Sequence, residues 1–403
     1  MRIELSVRFT APSVGGVESL IRELATELAQ SEDVRILAQR ISGRPDWIGR
    51  LDMEDPWTTD AGRESGYSTR QLRVEPALLG RLALAVTRPA VSWGRLSVVS
   101  SVSSALVVQE TLRRELRGAD IVHRMGGSWY ALAAARAARA NGQPFVITPQ
   151  AHPGVFDDDF LVSGGAYRMS GAVVASSQAD AALYRRLGVK EERLVILPPP
   201  TPAARRGGGA ALRAAYSPDT SLVVFLGARR AYKGVDLLLD VAARMARDNR
   251  KCVFAFVGPG DPLVPADNVI DVGSVAGPTK DAWLEAADVV CLPSSQESWG
   301  LAVSEAWSAG TPVLTSDLPV FVERLRESGG GRAVSLTAPA WYSALTDILT
   351  DNTARLAMGA AGFAYWHRHL TPEIYAARHL ALYRSLLAER TSRVSGGPKG
   401  VAT

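Results

Sequence analysis

Three consecutive prolines, Pro198, Pro199 and Pro200, divide the chain into two series that repeat one pattern. In each series a short apolar run is followed by a turn and then by a segment with helical apolar spacing. In the first, Ile3, Leu5 and Val7 alternate as a strand, and Val17, Leu20, Ile21, Leu24, Ala25 and Leu28 make one face of a helix. Runs at 34–38, 119–123, 145–147, 172–176 and 194–197 read as further strands, and Ser128 and Gly142 as the N-cap and stop of an Ala-rich helix. Beyond the prolines a Pro-, Gly- and Arg-bearing segment reads as a linker, and strands restart at 222–226, 253–257, 268–272 and 289–292. This alternation over 403 residues predicts an α/β protein of two domains. The expected boundaries are 1–198, a linker 199–220, 221–370, a last helix 371–390 opened by Thr371 and Pro372, and a disordered tail 391–403.

Composition excludes several classes of function. The formal net charge is +4, close to balance, which does not suggest a nucleic-acid partner. No apolar run reaches the ~18 residues of a membrane span, and the opening MRIELSVRF reads as a strand and not as a leader. Cys252 and Cys291 lie in apolar runs and read as buried thiols of a reducing compartment, so a cytoplasmic location is expected. The segment 76–117 mixes apolar residues with Arg81, Arg88, Arg95, Arg113, Arg114 and Arg117. It reads either as helices of the first domain with solvated arginines or as a basic, apolar face for peripheral membrane contact or a large substrate. Pro89 and Gly94 exclude one long amphipathic helix there.

The stretch 293–315 carries the most chemistry. The buried strand 289–292 leads into Ser294, Ser295, Gln296, Glu297 and Gly300, and from Leu301 the spacing turns helical until Gly310 and Pro312 end it. A strand, a glycine-bearing turn and a helix N-terminus form an anion site, because free N–H groups and the helix dipole converge on a phosphate. Glu297 and Glu305 bracket the turn and lie within reach of one pocket.

With Glu297, Gly300, Glu305, Ala306, Gly310, Pro312 and Val313 in this order, the stretch resembles the nucleotide-sugar signature of the retaining GT-B glycosyltransferases of family 4. A second match is Gly227 followed by Lys233 and Gly234, where the family places an Arg and a Lys that clamp the donor diphosphate. Ala228 stands where that Arg is usual, so Arg229 or Arg230 supplies the guanidinium, with Arg230 preferred. The resemblance implies two facing Rossmann-like domains with parallel sheets and a C-terminal helix crossing back to the first domain. It assigns Glu305 to the ribose, Glu297 with Ser298, Trp299, Gly300 and Leu301 to the donor sugar, and Ser274 and Val275 to the nucleotide base. Gly15 and Gly16 would line the cleft beneath the donor diphosphate and the acceptor.

The resemblance is weaker in the first half. The strand ending in His123 matches, but Met125 replaces a frequent second histidine, so His123 reads either as an active-site residue or as a core residue at a strand end. His152, after a strand and before Asp157, Asp158 and Asp159, is an acceptor-site candidate, and the three aspartates read as an exposed loop.

The activity implied is transfer of a sugar, with retention of anomeric configuration, from a UDP- or GDP-type donor to a small-molecule or lipid-linked acceptor, in natural-product or glycan biosynthesis. Lys233 and Arg230 would bear the departing diphosphate charge. No metal or cofactor is expected. A sugar-nucleotide epimerase of the same fold, or a non-catalytic binding protein, are the alternative readings.

Overall fold

The computed structural model describes residues 1–7, 16–39, 66–72, 105–106, 108–150 and 159–395. The chain divides into two units, one made of Met1–Pro198 with Tyr375–Thr403 and the other of Pro199–Ile374. Each unit is a parallel sheet, as strand–helix alternation requires, because a parallel connection needs a crossover helix.

The first sheet contains β1 (Arg2–Val7), β2 (Asp33–Gln39), β3 (Ser68–Leu72), β4 (Ile121–Met125), β5 (Phe145–Thr148), β6 (Ala172–Ala175) and β7 (Leu194–Ile196), in the order β3-β2-β1-β4-β5-β6-β7. The second contains β8 (Ser221–Leu226), β9 (Cys252–Val257), β10 (Val269–Gly273), β11 (Val289–Leu292), β12 (Val313–Ser316) and β13 (Gly331–Val334), in the order β10-β9-β8-β11-β12-β13. Both are doubly wound, and the strand order reverses between β1 and β4 and between β8 and β11. Ligands in such sheets bind beyond the carboxyl ends of the strands at the reversal.

Side-chain alternation along a strand sends neighbours to opposite faces. Leu222, Val224 and Leu226 pack on one face of the second sheet with Val303, Trp307 and Phe321. Val223 and Phe225 pack on the other with Leu238, Val241 and Trp341. In the first unit Ile3, Leu5 and Val7 share a core with Tyr375, Ala376 and Tyr383 of the last helix, Pro372–Ser395. That helix therefore completes the first unit, although it follows the second in sequence.

Several local expectations change. The segment 199–220 is not all connector: it holds the helix Gly208–Arg213, whose start is fixed by Glu285 accepting from the Gly209 amide (2.7 Å). Ser128 stands at the start of the helix Trp129–Ala140 but makes no capping hydrogen bond; with φ 94 its amide instead donates to Ser163 Oγ (2.9 Å). The last helix runs to Ser395, past 390, and residues 396–403 of the expected tail lie outside the described residues.

Within 76–117, residues 76–104 and 107, with Arg81, Arg88 and Arg95, lie outside the described residues. In the described remainder Ala105, Val108, Leu112 and Leu116 are buried in the core, and Arg113 and Arg114 pair with Glu110. Among the described residues no helix is long and apolar enough to cross a membrane.

Candidate functional site

The carboxyl ends of β8 and β11 lie side by side because these strands pair, Val289 against Val223 and Cys291 against Phe225. Each strand runs into a loop that carries sequence-predicted residues, and the two loops are stitched together. Ser295 donates its backbone N–H (2.7 Å) and its Oγ (3.2 Å) to the Tyr232 carbonyl, and Ser316 Oγ at the end of β12 braces the second loop by donating to the Ser294 carbonyl (2.5 Å). Gly234 makes the approach possible: it sits at φ 71, and a Cβ there would stand 2.0 Å from the Pro293 carbonyl oxygen.

This stitching places Lys233 on Glu297. The ammonium forms an ion pair with Glu297 Oε1, which also accepts from Ser294 Oγ (3.1 Å). The Glu297 side chain is 8% exposed and that of Lys233 19%, so the pair sits in a partly desolvated position where charge interactions are stronger than in water. The two candidate arginines part ways. Arg229 is held by Asp271 (2.5 Å) and donates to the Gly260 carbonyl (3.0 Å). Arg230 is exposed, and among the described residues no hydrogen bond or ion pair engages its guanidinium.

The Glu297 loop ends at Gly300, with φ 72, where a Cβ would lie 2.6 Å from the Phe321 ring. The helix Leu301–Ala309 starts immediately after it, so its N-terminus points from the end of β11. Trp299 is buried in the core, while Ser298 and Leu301 are half-buried. One turn into the helix, Glu305 pairs with Lys280 (2.5 Å), each about a quarter exposed. Ser274 is exposed, and Val275 packs half-buried on the same core as Trp299, just after β10.

Two residues were not anticipated. Lys280 lies on the helix Gly277–Ala286, which has Pro278 in its first turn. Arg324, on the helix Pro319–Ser328, is 1% exposed beneath the Glu297 loop. It donates to the carbonyls of Trp299 (2.6 Å) and Gly300 (3.3 Å) and to Ser304 Oγ (2.7 Å). Its guanidinium lies 3.7 Å from the centre of the Trp299 ring. Signals for both were present. The chain has only five lysines, and two of them meet the two glutamates of this site. Arg324 interrupts an apolar stripe of Val320, Phe321 and Leu325.

In the first unit His123 lies on β4, fully buried. Its Nδ1 is 2.6 Å from the Tyr383 hydroxyl and its Nε2 is 2.8 Å from Thr148 Oγ1. The His379 ring stacks on it at 5.2 Å. Burial, and then the neighbouring His379, hold its pKa well below the usual imidazole range. Gly16 opens the helix Gly16–Leu28, while Gly15 and His152 lie outside the described residues. Among the described residues no three His, Cys, Asp or Glu side chains gather as metal ligands.

Two doubly wound parallel sheets, with carboxylates and cations gathered at the reversal point of the second, define an α/β protein of the nucleotide-binding type. The chain belongs to the glycosyl transferases of group 1: the profile of that family matches residues 220–351, and that of the glycosyl transferase 4-like domain matches residues 15–200. It is 31% identical over 157 residues to the D-inositol 3-phosphate glycosyltransferase of Corynebacterium glutamicum, covering 35% of this chain and 38% of that protein. The chain thus matches less than half the length of such relatives. Its fold is that of the GT-B glycosyltransferases. Sucrose-phosphate synthase from Thermosynechococcus elongatus superposes with a TM-score of 0.72 at 18% identity, covering 96% of this chain and 99% of that one. Anabaena HepE, in complex with UDP and glucose, superposes with 0.69 at 14% identity, covering 95% and 99%.

Proposed function

We propose that the protein is a retaining glycosyltransferase that takes a sugar from a nucleoside diphosphate donor. The observation that carries this reading is the Lys233–Glu297 ion pair in the loop that leads into the helix Leu301–Ala309, with Glu305 one turn inside that helix. A helix N-terminus favours an anion. Lys233 and the exposed Arg230 are the cations that would take the charge developing on the diphosphate as the sugar leaves. Glu305 would accept hydrogen bonds from the ribose hydroxyls, and Glu297 from the sugar, once each is released from its lysine. Ser274 and Val275 would lie against the base. Arg229 supports the site indirectly, since Asp271 and Gly260 already occupy it. On the family resemblance Gly15 and Gly16 are assigned to the cleft beneath the donor diphosphate and the acceptor, and His152 to the acceptor site. For His123 the engagement of both ring nitrogens supports a core role in place of proton transfer. The donor is of the UDP or GDP type, and the UDP held by HepE makes UDP the first to try.

The test is a thermal-shift panel of UDP, GDP, ADP and dTDP on the wild type, Lys233→Ala and Glu305→Ala. A ligand at 100 times its Kd stabilises the folded state by about 2.7 kcal/mol. One nucleotide should raise the melting temperature of the wild type and neither variant should respond. A wild type indifferent to all four overturns the reading.

A further inference from the structure

Arg324 is a buried cation without a buried anion. It is 1% exposed, its Nε has no partner, and among the described residues no carboxylate lies within ion-pair distance of it. Its contacts are two carbonyls, one hydroxyl and the rings of Trp299 and Trp307. Removing a charge from water without a counter-ion costs several kcal/mol, and an apolar side chain of similar size would serve the core better. Burial pushes its pKa down to about 9, so it stays protonated at neutral pH. A cation retained there is explained by what lies above it.

The carbonyls it grips belong to Trp299 and Gly300, the two residues that precede the helix Leu301–Ala309. A trans peptide is planar, and its C=O and N–H point in opposite directions. Drawing the Trp299 and Gly300 carbonyls down onto Arg324 therefore turns the N–H groups of Gly300 and Leu301 away from it. Among the described residues those two amides donate to no backbone or side-chain acceptor. Two unspent donors thus sit over a fixed positive charge, at the N-terminus of a helix whose dipole adds the same sign.

We infer that Arg324 is a positioning residue for the donor diphosphate, aiming the Gly300 and Leu301 amides at it and adding a buried positive charge beneath it. This rests on the nucleotide-sugar reading of the site and adds to it a residue outside the glycosyltransferase signature. An electrostatic contribution grows with the charge on the ligand, whereas a purely structural one does not.

The experiment titrates uridine, UMP and UDP, and guanosine, GMP and GDP, into the wild type, Arg324→Met and Arg324→Lys by calorimetry, after melting curves confirm folding. Arg324→Met should bind the nucleoside within about twofold of the wild type, the monophosphate more weakly, and the diphosphate at least about tenfold more weakly. Arg324→Lys should recover most of the diphosphate affinity. If Arg324→Met does not fold, Arg324→Gln, which keeps an N–H for the Trp299 carbonyl but no charge, carries the same comparison. Hydrogen exchange on the wild type gives an independent reading: the Gly300 and Leu301 amides should exchange fast alone and slowly with the diphosphate bound. Equal losses for nucleoside and diphosphate, an unchanged diphosphate affinity, or amides protected without ligand would each overturn the assignment while leaving the nucleotide site in place. If neither diphosphate binds the wild type, the nucleotide-sugar reading falls and this inference falls with it.

Discussion

At the scale of the residue, the candidate site keeps both of its glutamates, Glu297 and Glu305, occupied by lysines. Lys280 holds Glu305 at a position about a quarter exposed, where an ion pair is worth up to about 1 kcal/mol. A ribose that takes Glu305 must displace it. Lys280→Met should therefore tighten nucleoside diphosphate binding by about two- to fivefold, read by calorimetry. A weaker affinity would instead mean that Lys280 touches the ligand. Gly300 is the other sensitive position, because its left-handed backbone and the Phe321 ring both exclude a side chain. Gly300→Ala should lower stability by about 1–3 kcal/mol and weaken nucleotide binding, while a change at exposed Val322, next to Phe321 on the helix Pro319–Ser328, should do neither.

At the scale of the element, the last helix is clamped to β4 by a buried histidine pair. Burial holds His379 down to about 4, against the hydrogen bond its Nδ1 donates to the Tyr375 carbonyl. Around it stand His123, Tyr375 and Tyr383. The unfolded imidazole takes its proton near pH 6.5 and the folded one not until about 4, so this stability is whole above 6.5 and is lost as pH falls toward 4, by about 3 kcal/mol for His379 alone. Glu4 has the opposite sign, since burial raises it to about 7 despite Arg35. His379→Phe should flatten the acid loss of melting temperature and Glu4→Gln should steepen it; parallel pH profiles for all three proteins would refute the clamp.

Much of this scale was legible beforehand. Apolar runs announced the strands because parallel strands buried on both faces are apolar throughout, as Val289–Leu292 is. Glu297, Lys233 and Glu305 were singled out by their resemblance to the family's spacing around glycines, and the structure pairs Lys233 with Glu297. Lys280 was not, because Gly277 and Pro278 look like breakers but here form the first turn of a helix. The break that Arg324 makes in its apolar stripe was legible but not its purpose, and the histidine clamp left no signal, for a different reason. Their meaning depends on which elements stack, as between His123 and His379, and no local pattern encodes that.

At the scale of the whole molecule, the two units differ in continuity. The second is one uninterrupted stretch with its own two core clusters. The first borrows Tyr375, Ala376 and Tyr383 for its core. A fragment of residues 199–374 should fold cooperatively and bind the same nucleotide as the full chain, whereas 1–198 alone should lack a sharp melting transition. Circular dichroism melts of both fragments would settle the point, and a cooperative 1–198 would count against it.

That arrangement also sets a timetable on the ribosome. The second unit can close as soon as it has emerged, but the first, although synthesised earlier, must wait for the helix Pro372–Ser395. At roughly 5–20 residues per second the wait lasts on the order of 10–40 s, during which an unfinished apolar sheet is open to chaperones or to other nascent chains. A premature stop immediately before that helix would leave a nearly complete second unit attached to an uncompleted first one, a product that quality control can recognise by its exposed core.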